Sequence, residues 1–381
     1  MPQLHQTRAA FEATIFQTLR VGLRMTRRDV RIPIRALRLL RQQRRAERIR
    51  AVHQAAGVHV PPFLIYSITD RCNLDCDGCY DKLLHRATDR QELDDRQVRS
   101  LLSDARDLGV SIILLAGGEP LLRDNLLEQM AAFPEILFLL FTNGTLLDEA
   151  AIARLETLPH VIPVLSIEGD ERFTDMRRGD GTHHRLMDVM SLLRRHRVFF
   201  GTSTTLTSAN IELYLEEQFL QDLIQRGCGL FYSINYVPVQ PGTEPLQLLP
   251  DQVRQLERRL TAYRRSLPAI FIAFPHDEVA LGGCLAAGRG FIHLSAYGDI
   301  EPCPFSPYSD TNITETPLLE ALHTPLLQAI LNSDVTLDET DGQCALWKRR
   351  DWVSNLMAEA PEPDDARSVS PDLLAKGEVD G

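Results

Sequence analysis

Cysteine and long apolar segments are both scarce in this chain of 381 residues. No uninterrupted apolar run reaches about 18 residues, so a membrane-spanning helix is not expected. The first ten residues, Met1 to Ala10, lack the apolar core of a secretory signal peptide. Only seven cysteines are present. Because they are so few, any place where they cluster is informative.

Negative charge dominates the whole chain but not its beginning. The net charge is −11, yet residues 1–50 contain thirteen Arg against three acidic residues, or +10, and the remainder carries −21. The basic excess is confined to one arm, which does not favour a general nucleic-acid binder. The length allows two or three domains, and the 44% hydrophobic fraction is ordinary for a folded protein.

Residues 1–60 are predicted to be a basic N-terminal extension. Arginines recur at three- and four-residue steps between apolar residues, which predicts an amphipathic helix over about 33–54 with Pro33 in its first turn. The helix could simply pack on the following domain through its thin apolar stripe. It could also contact an anionic membrane surface, an acidic partner or the acidic body of the protein.

Short apolar segments alternate with helical ones from residue 62 to about 237. This alternation predicts a parallel α/β sheet. The candidate strands are Phe63–Thr69, Ile112–Ala116, Ile136–Thr142, Ile162–Ile167, Phe199–Leu206 and Leu230–Val237. The candidate helices are Asp94–Leu108, Asp148–Leu158, Thr182–Arg195 and Leu213–Arg226.

Three cysteines, Cys72, Cys76 and Cys79, directly follow the first candidate strand. A C-x3-C-x2-C loop can hold three irons of a cubane cluster through thiolates and leave the fourth iron open to a substrate. Two alternatives remain at this point. The three thiolates with His85 could form a structural zinc site, or Cys228 could complete a plain electron-transfer cluster.

The cysteine loop resembles that of the radical S-adenosylmethionine (SAM) superfamily, and a second motif agrees with it. Gly117-Gly118-Glu119-Pro120 immediately follows the second candidate strand and is similar to the family's GGEP motif. The resemblance implies a partial (β/α)6 barrel of TIM type, a SAM-binding [4Fe–4S] cluster held by the three cysteines, and SAM itself as cofactor. Such a cluster indicates a reducing, cytoplasmic setting rather than a disulfide framework.

The resemblance also implies a set of SAM contacts. Glu119 would meet the amino group, Ser166 and Glu168 the ribose hydroxyls, and Arg178 the carboxylate. The full predicted set is Tyr80, Gly117, Gly118, Glu119, Pro120, Asn143, Ser166, Glu168 and Arg178. One position departs from the family pattern, because Gly78 stands where many members carry a bulky residue. Tyr236 could point into the substrate space or be an ordinary buried tyrosine.

A second group of cysteines, Cys284, Cys303 and Cys344, lies in the C-terminal third. Between the first two, residues 291–300 read as a β-hairpin with Gly298 in its turn. This spacing resembles the opening of SPASM and Twitch domains and implies one auxiliary [4Fe–4S] cluster. Its fourth ligand stays open among Asp341, His293, Cys228 and no protein ligand at all. The three cysteines could also bind zinc or nothing.

These observations predict four regions along the chain and one type of reaction. The regions are the extension 1–60, a radical SAM barrel 61–245, an auxiliary-cluster module 246–358 and an acidic disordered tail 359–381. The resemblance implies reductive cleavage of SAM to a 5′-deoxyadenosyl radical that takes hydrogen from a peptide or peptide-derived substrate, with electrons from a flavodoxin or ferredoxin. Alternatives are a lipid, isoprenoid or tetrapyrrole substrate, or an iron–sulfur electron carrier without SAM chemistry. Peripheral membrane contact is one of the roles left open for residues 1–55, and no nucleic-acid partner is expected.

Overall fold

The computed structural model describes residues 31–85 and 89–359. The first half of the predicted extension and the predicted acidic tail beyond residue 359 lie outside the described residues. One hydrophobic core runs through the described part, from Val60 to Val353.

A single nine-stranded sheet organises the molecule. Its spatial order is β7-β6-β5-β4-β3-β2-β1-β8-β9, and every neighbouring pair except β8–β9 is parallel. The strands are β1 Phe63–Thr69, β2 Ile112–Gly117, β3 Leu137–Thr142, β4 Val161–Ser166, β5 Gly201–Leu206, β6 Leu230–Asn235, β7 Ile270–Phe274, β8 Phe291–Leu294 and β9 Ile300–Glu301. The predicted open barrel of parallel strands is confirmed, with each of the six predicted strands present.

Helices connect the strands and cover the sheet. They are α1 Arg31–Ala55, α2 Tyr80–Leu84, α3 Asp95–Asp107, α4 Leu126–Ala131, α5 Glu149–Glu156, α6 Glu171–Arg178, α7 Thr182–Arg195, α8 Ile211–Tyr214, α9 Glu217–Gln225, α10 Pro250–Ser266, α11 His276–Val279, α12 Leu318–Ala321, α13 Pro325–Asn332, α14 Ala345–Lys348 and α15 Arg350–Glu359. Side-chain hydrogen bonds cap the N-termini of some of these helices. Asp94 and Gln97 form a capping box on α3, and Asp148 caps α5.

The sheet contains strands from both sides of the predicted domain boundary at residue 245. Strand β7 pairs with β6 after helix α10, so the strand–helix alternation has a seventh unit. At the opposite edge, β8 pairs in parallel with β1. The C-terminal third therefore supplies strands to both edges of the barrel sheet, and its core is shared with the barrel.

The predicted hairpin is present as β8 and β9. Gly298 lies between the two strands with φ +94°, a left-handed conformation that favours glycine. A Cβ at this position would lie 2.8 Å from Asn312 Oδ1. The hairpin leads directly into Cys303, so its turn fixes where that thiol lies.

The predicted basic helix is present as α1 and packs on the barrel. Arg50 donates to the Gly109 carbonyl at 2.5 Å, and Gln43 donates to the Ser111 carbonyl at 3.3 Å. Both acceptors lie just before β2 begins, at the opposite end of that strand from Gly117. The arginines of the outer face stay exposed; they are Arg38, Arg41, Arg44, Arg45 and Arg48. No helix in the described residues is both long and apolar enough to cross a bilayer.

Candidate active site

The three cysteines after β1 face a cavity at the C-terminal ends of the strands. Cys72, Cys76 and Cys79 line this cavity as free thiols. It has a volume of ≈ 240 Å³ and opens to solvent. Chemistry in parallel barrels gathers at this end of the strands because the βα-loops converge there.

The second cysteine group lines the same cavity. Cys284, Cys303 and Cys344 are free thiols in its wall, contributed by the segments before β8, after β9 and before α14. The two groups are about two hundred residues apart in sequence and are brought together because β8 pairs with β1. The fold thus gives one chamber two sets of three thiols.

Tyr80 lies between the two cysteine groups. It follows Cys79 directly, and its ring centroid is 5.0 Å from that of Phe305, two residues after Cys303. Burial raises the pKa of Tyr80 well above its usual value, and Asp81, Cys79 and Cys303 add to this effect. The hydroxyl therefore stays protonated in the neutral pH range and can only donate or accept a hydrogen bond.

The Gly117-Gly118 pair holds the cysteine loop against the end of β2. The Gly118 amide donates to the Thr69 carbonyl and the Glu119 amide to the Arg71 carbonyl, both at 2.8 Å. A Cβ on Gly117 would lie 2.2 Å from the Thr69 oxygen, and one on Gly118 would lie 2.1 Å from the Arg71 oxygen. Only glycine fits here, because two backbones meet.

Glu119 is a buried carboxylate in the cavity wall. It accepts from Thr142 Oγ1 at 2.7 Å, from the Asn143 amide at 2.8 Å and from the Leu121 amide at 3.2 Å. Burial raises the pKa of Glu119, and these hydrogen bonds oppose the shift. The carboxylate is fixed by three donors and has room for one more on its cavity side.

Asn143 joins the cysteine loop to the end of β3. Its Nδ2 donates to Asn73 Oδ1 at 2.8 Å, and its Oδ1 accepts from the Thr145 amide at 2.9 Å. Asn143 and Ser166 both line the cavity, as do Tyr80, Gly117, Gly118 and Arg178. Pro120 does not line it and instead begins a short 3-10 turn after Glu119.

Glu168 is held behind the cavity wall. Its side chain is 2% exposed and accepts from Arg177 at 2.7 Å, from Arg178 and from the Thr205 amide at 3.0 Å. Burial would raise its pKa, but the two arginines prevail and lower it. The predicted ribose contact stays a prediction; in this structure the carboxylate anchors the arginines, and Arg178 Nη1 lies 4.0 Å from Cys76 Sγ.

Gly78 stands where many family members carry a bulky residue, and a neighbouring side chain explains why a glycine fits here. Gly78 has φ +63°, and a Cβ there would lie 2.7 Å from the hydroxyl oxygen of Tyr236 at the end of β6. Tyr236 is buried, does not line the cavity and donates to Thr243 Oγ1 at 2.9 Å. An aromatic ring from another strand thus occupies the space beside the cysteine loop.

The side chains proposed as alternative ligands are engaged elsewhere. His85 donates to or accepts from no cysteine; its Nε2 is 2.7 Å from the Pro304 carbonyl and its Nδ1 is 3.7 Å from Glu301. Cys228 is buried just before β6 and does not line the cavity; its Sγ lies 3.2 Å from the Leu230 carbonyl. Neither arrangement favours the zinc site with His85 or a cluster completed by Cys228.

Two buried carboxyl groups in the cavity wall were missed by the sequence prediction. Glu278 and Glu339 are buried carboxylates that line the cavity with Cys284. Neither belongs to a cysteine spacing pattern. Their only sequence signal is that Glu278 lies six residues before Cys284 and Glu339 five residues before Cys344.

Comparison with known proteins agrees with this geometry. The sequence model of the radical SAM superfamily matches residues 66–213, which contain Cys72, Cys76, Cys79 and Glu119. Residues 66–213 are therefore a radical SAM domain. The matched region ends in α8, so the second cysteine group lies outside it.

The names of relatives that share this domain point to different substrates. The chain is 24% identical to AdoMet-dependent heme synthase of Methanosarcina barkeri over 70% of its own length and 83% of that protein. It is 27% identical to PqqA peptide cyclase of Xanthomonas axonopodis pv. citri over 64% of this chain and 68% of that protein. Its fold is similar to that of Streptococcus suis SuiB bound to the precursor peptide SuiA, with a TM-score of 0.62, 21% identity, and coverage of 83% and 75% of the two chains.

The residues present fit the cofactors that this superfamily implies. A radical SAM enzyme requires an iron–sulfur cluster and SAM, and three free thiols beside a fixed buried carboxylate are the expected donor set. Burial raises the pKa of Cys72 and Cys76, so metal binding must displace their protons.

Proposed function

We propose that this radical SAM enzyme carries two iron–sulfur clusters in one chamber and removes hydrogen from a substrate held between them. The observation that supports this most is that both cysteine groups line the same cavity. The first group would hold the SAM-binding cluster, and the second would hold an auxiliary cluster. When bound, the first cluster and SAM supply the one-electron cleavage that produces a 5′-deoxyadenosyl radical.

The chain's own residues would bind and orient SAM. Glu119, fixed by Thr142 and the Asn143 amide, would accept a hydrogen bond from an ammonium group. Arg178 would offer its positive charge to a carboxylate near Cys76, while Glu168 keeps its guanidinium in place. Ser166 would bind a ribose hydroxyl. Tyr80 and Phe305 would close the space between the two clusters and exclude water.

We infer that the substrate is a peptide or a peptide-derived natural product. The support is the similarity to PqqA peptide cyclase and the fold shared with a protein that binds a precursor peptide. The cavity is open to solvent, as an extended substrate would require. An electron donor such as a flavodoxin or ferredoxin, in a cytoplasmic setting, would complete the system.

A tetrapyrrole is the second candidate substrate. It is favoured by the similarity to AdoMet-dependent heme synthase and to Pre-heme d1 synthase of Dinoroseobacter shibae, 26% identical over 68% of this chain. The cavity walls also carry large apolar rings that suit a macrocycle. These are Phe63, Phe141, Tyr232, Phe274, Phe291 and Phe305. A lipid substrate has less support, since the basic helix α1 lies at the other end of β2.

Anaerobic reconstitution tests the chemistry. With SAM and dithionite, the wild-type protein should form 5′-deoxyadenosine, and the variant Cys72→Ala/Cys76→Ala/Cys79→Ala should form none. An equal yield from the two proteins would contradict the proposal.

Isotope transfer distinguishes the two substrate classes. The protein is incubated with a set of deuterated peptides and, separately, with deuterated iron-coproporphyrin III. The proposal predicts deuterium in 5′-deoxyadenosine with a peptide. Transfer from the porphyrin alone would instead establish the tetrapyrrole.

A further inference from the structure

Two buried glutamates converge on one cysteine of the second group. The ligand atoms of Glu278, Cys284 and Glu339 all lie within 4.8 Å of one another. The three residues are 5%, 3% and 2% exposed. Buried carboxylates are costly unless they are hydrogen-bonded, paired with a cation or bound to a metal.

Each glutamate is anchored through one oxygen to a cluster-binding segment. Glu339 accepts from the Ala345 amide at 3.1 Å, and Glu278 accepts from the Leu285 amide at 2.8 Å. Both amides belong to the residue that immediately follows a cysteine, Cys344 and Cys284 respectively. The anchoring fixes the carboxylates relative to the thiols rather than relative to the solvent.

The second oxygen of Glu339 faces other acidic groups. Glu339 Oε2 is buried and takes no hydrogen bond from a backbone amide or a basic side chain of the described residues. Its side-chain neighbours are the Glu278 carboxyl and the Cys284 thiol, which can donate to it only while they hold a proton. Glu339 lines the cavity together with Cys284, Cys303 and Cys344, so a metal bound by these cysteines as thiolates would take the place of those protons as the partner of the carboxylate.

The basic side chains near this site are bound to other groups. Arg289 donates to the Cys284 carbonyl at 2.7 Å, and Lys348 donates to the exposed Asp341 at 2.6 Å. Three thiols and two carboxylates therefore share a buried site in which no described side-chain cation reaches Glu339 Oε2. A metal centre inside this ring of donors would supply the missing positive charge.

The other candidate ligands are already engaged. His293 lies 2.6 Å from Glu301 and 2.9 Å from Ser67 Oγ through its two ring nitrogens. Asp341 pairs with Lys348 and accepts from the Gln343 amide. Cys228 is outside the cavity. Among these candidates, Glu339 lies beside Cys284 in the thiol-lined wall, and its Oε2 takes no hydrogen bond from a backbone amide or a basic side chain of the described residues.

We propose that Glu339 is the fourth protein ligand of the auxiliary [4Fe–4S] cluster, through Oε2, beside Cys284, Cys303 and Cys344. This inference depends on the auxiliary cluster of the proposed function. Glu278 is the neighbouring group that orients the Cys284 segment. A cluster with four protein ligands has no open iron, so it accepts or passes on an electron and does not anchor the substrate.

The test uses full-length protein in which the first cluster is removed by Cys72→Ala/Cys76→Ala/Cys79→Ala. In this background we compare Glu339→Gln, Glu278→Gln and, as the control, Asp341→Asn. After anaerobic reconstitution, iron content, the EPR spectrum of the reduced cluster and its reduction potential are measured.

The proposal predicts a change specific to Glu339. Glu339→Gln should alter the EPR g-values, move the potential to a more positive value because an anionic ligand is lost, and increase formation of the three-iron cluster on mild oxidation. Asp341→Asn should leave all three readouts unchanged. Bound iron with unchanged spectra in Glu339→Gln, or the full change in Glu278→Gln alone, would overturn the assignment. Absence of any iron–sulfur cluster in the background protein would instead overturn the auxiliary cluster itself.

Discussion

Glu168 shows how a single buried charge can position the cofactor loop. Its carboxylate binds Arg177 and Arg178, and Arg177 in turn donates to the Asp77 carbonyl at 3.1 Å, inside the cysteine loop. The Asp77 amide donates back to the Arg177 carbonyl at 3.0 Å. The end of α6 and the cysteine loop are thus joined through one carboxylate.

Glu168→Gln is expected to lower the free energy of unfolding by about 3 kcal/mol, because it leaves two largely buried guanidinium groups with a neutral partner. The folded-state pKa of Glu168 is lowered, so its stabilisation is fully present above the ordinary glutamate pKa and is lost only as the pH falls below it. The cost should therefore be equal at pH 6 and pH 8. Urea unfolding of the reconstituted protein measures it.

The control is Glu171→Gln, an exposed glutamate at the start of the same helix. It should change stability by less than about 0.5 kcal/mol. A cost for Glu168→Gln that disappears between pH 6 and pH 8 would show that this carboxylate is not ionised in the folded protein.

At the residue scale, the sequence predicts thiols better than it predicts carboxylates. The six predicted cysteine ligands all line one cavity; sequence spacing identified each group, and the pairing of β8 with β1 brings the two groups together. Glu278 and Glu339 could not be found in this way. Their proximity depends on α11 and on the segment before α14, which only the tertiary fold brings together.

The two faces of helix α1 differ in burial and in charge. Gln43, Ala46 and Arg50 are buried against the α3–β2 turn, where Gly109 has φ +86° and a Cβ would lie 2.8 Å from the Ala46 carbonyl oxygen. The opposite face carries exposed arginines. The sequence predicted this helix because its arginines recur at helical steps, but it left open whether the helix packs on the barrel.

Charge reversal of the outer face tests membrane contact without disturbing the packed face. We expect Arg41→Glu/Arg45→Glu/Arg48→Glu to weaken binding to phosphatidylserine-containing vesicles on the order of a hundredfold, since each arginine contributes about 1 kcal/mol near an anionic surface. Vesicle co-sedimentation measures the effect.

The matched control is Arg258→Glu/Arg259→Glu/Arg265→Glu, which makes the same charge change on exposed positions of α10. This variant should bind as the wild type does. Equal weakening by both triple variants would mean that net charge, rather than α1, governs binding.

The whole molecule is built on one sheet whose two edges come from its C-terminal third. Strand β7 covers the edge of β6, and β8 covers the edge of β1, which carries the cysteine loop at its end. Six strands could be predicted because each is a short apolar run between helices. The pairing of β8 with β1 could not, because it joins segments more than two hundred residues apart and has no local signal.

A chain ending at residue 245 is therefore expected to lose its native fold. It would expose the unpaired backbone groups of β1 and β6, and open apolar edges promote aggregation. Size-exclusion chromatography and urea unfolding measure this. A chain ending at residue 359, which retains every strand, is the control. A soluble, cooperatively unfolding 1–245 fragment would show that the barrel is an independent domain.

The binding of SAM at the first cluster is the claim on which the functional account depends. The most direct measurement is the EPR spectrum of the dithionite-reduced protein with Cys284→Ala/Cys303→Ala/Cys344→Ala, recorded with and without SAM. We predict that SAM shifts the g-values of the remaining cluster, since SAM would bind its open iron. A spectrum unchanged by saturating SAM would contradict the account.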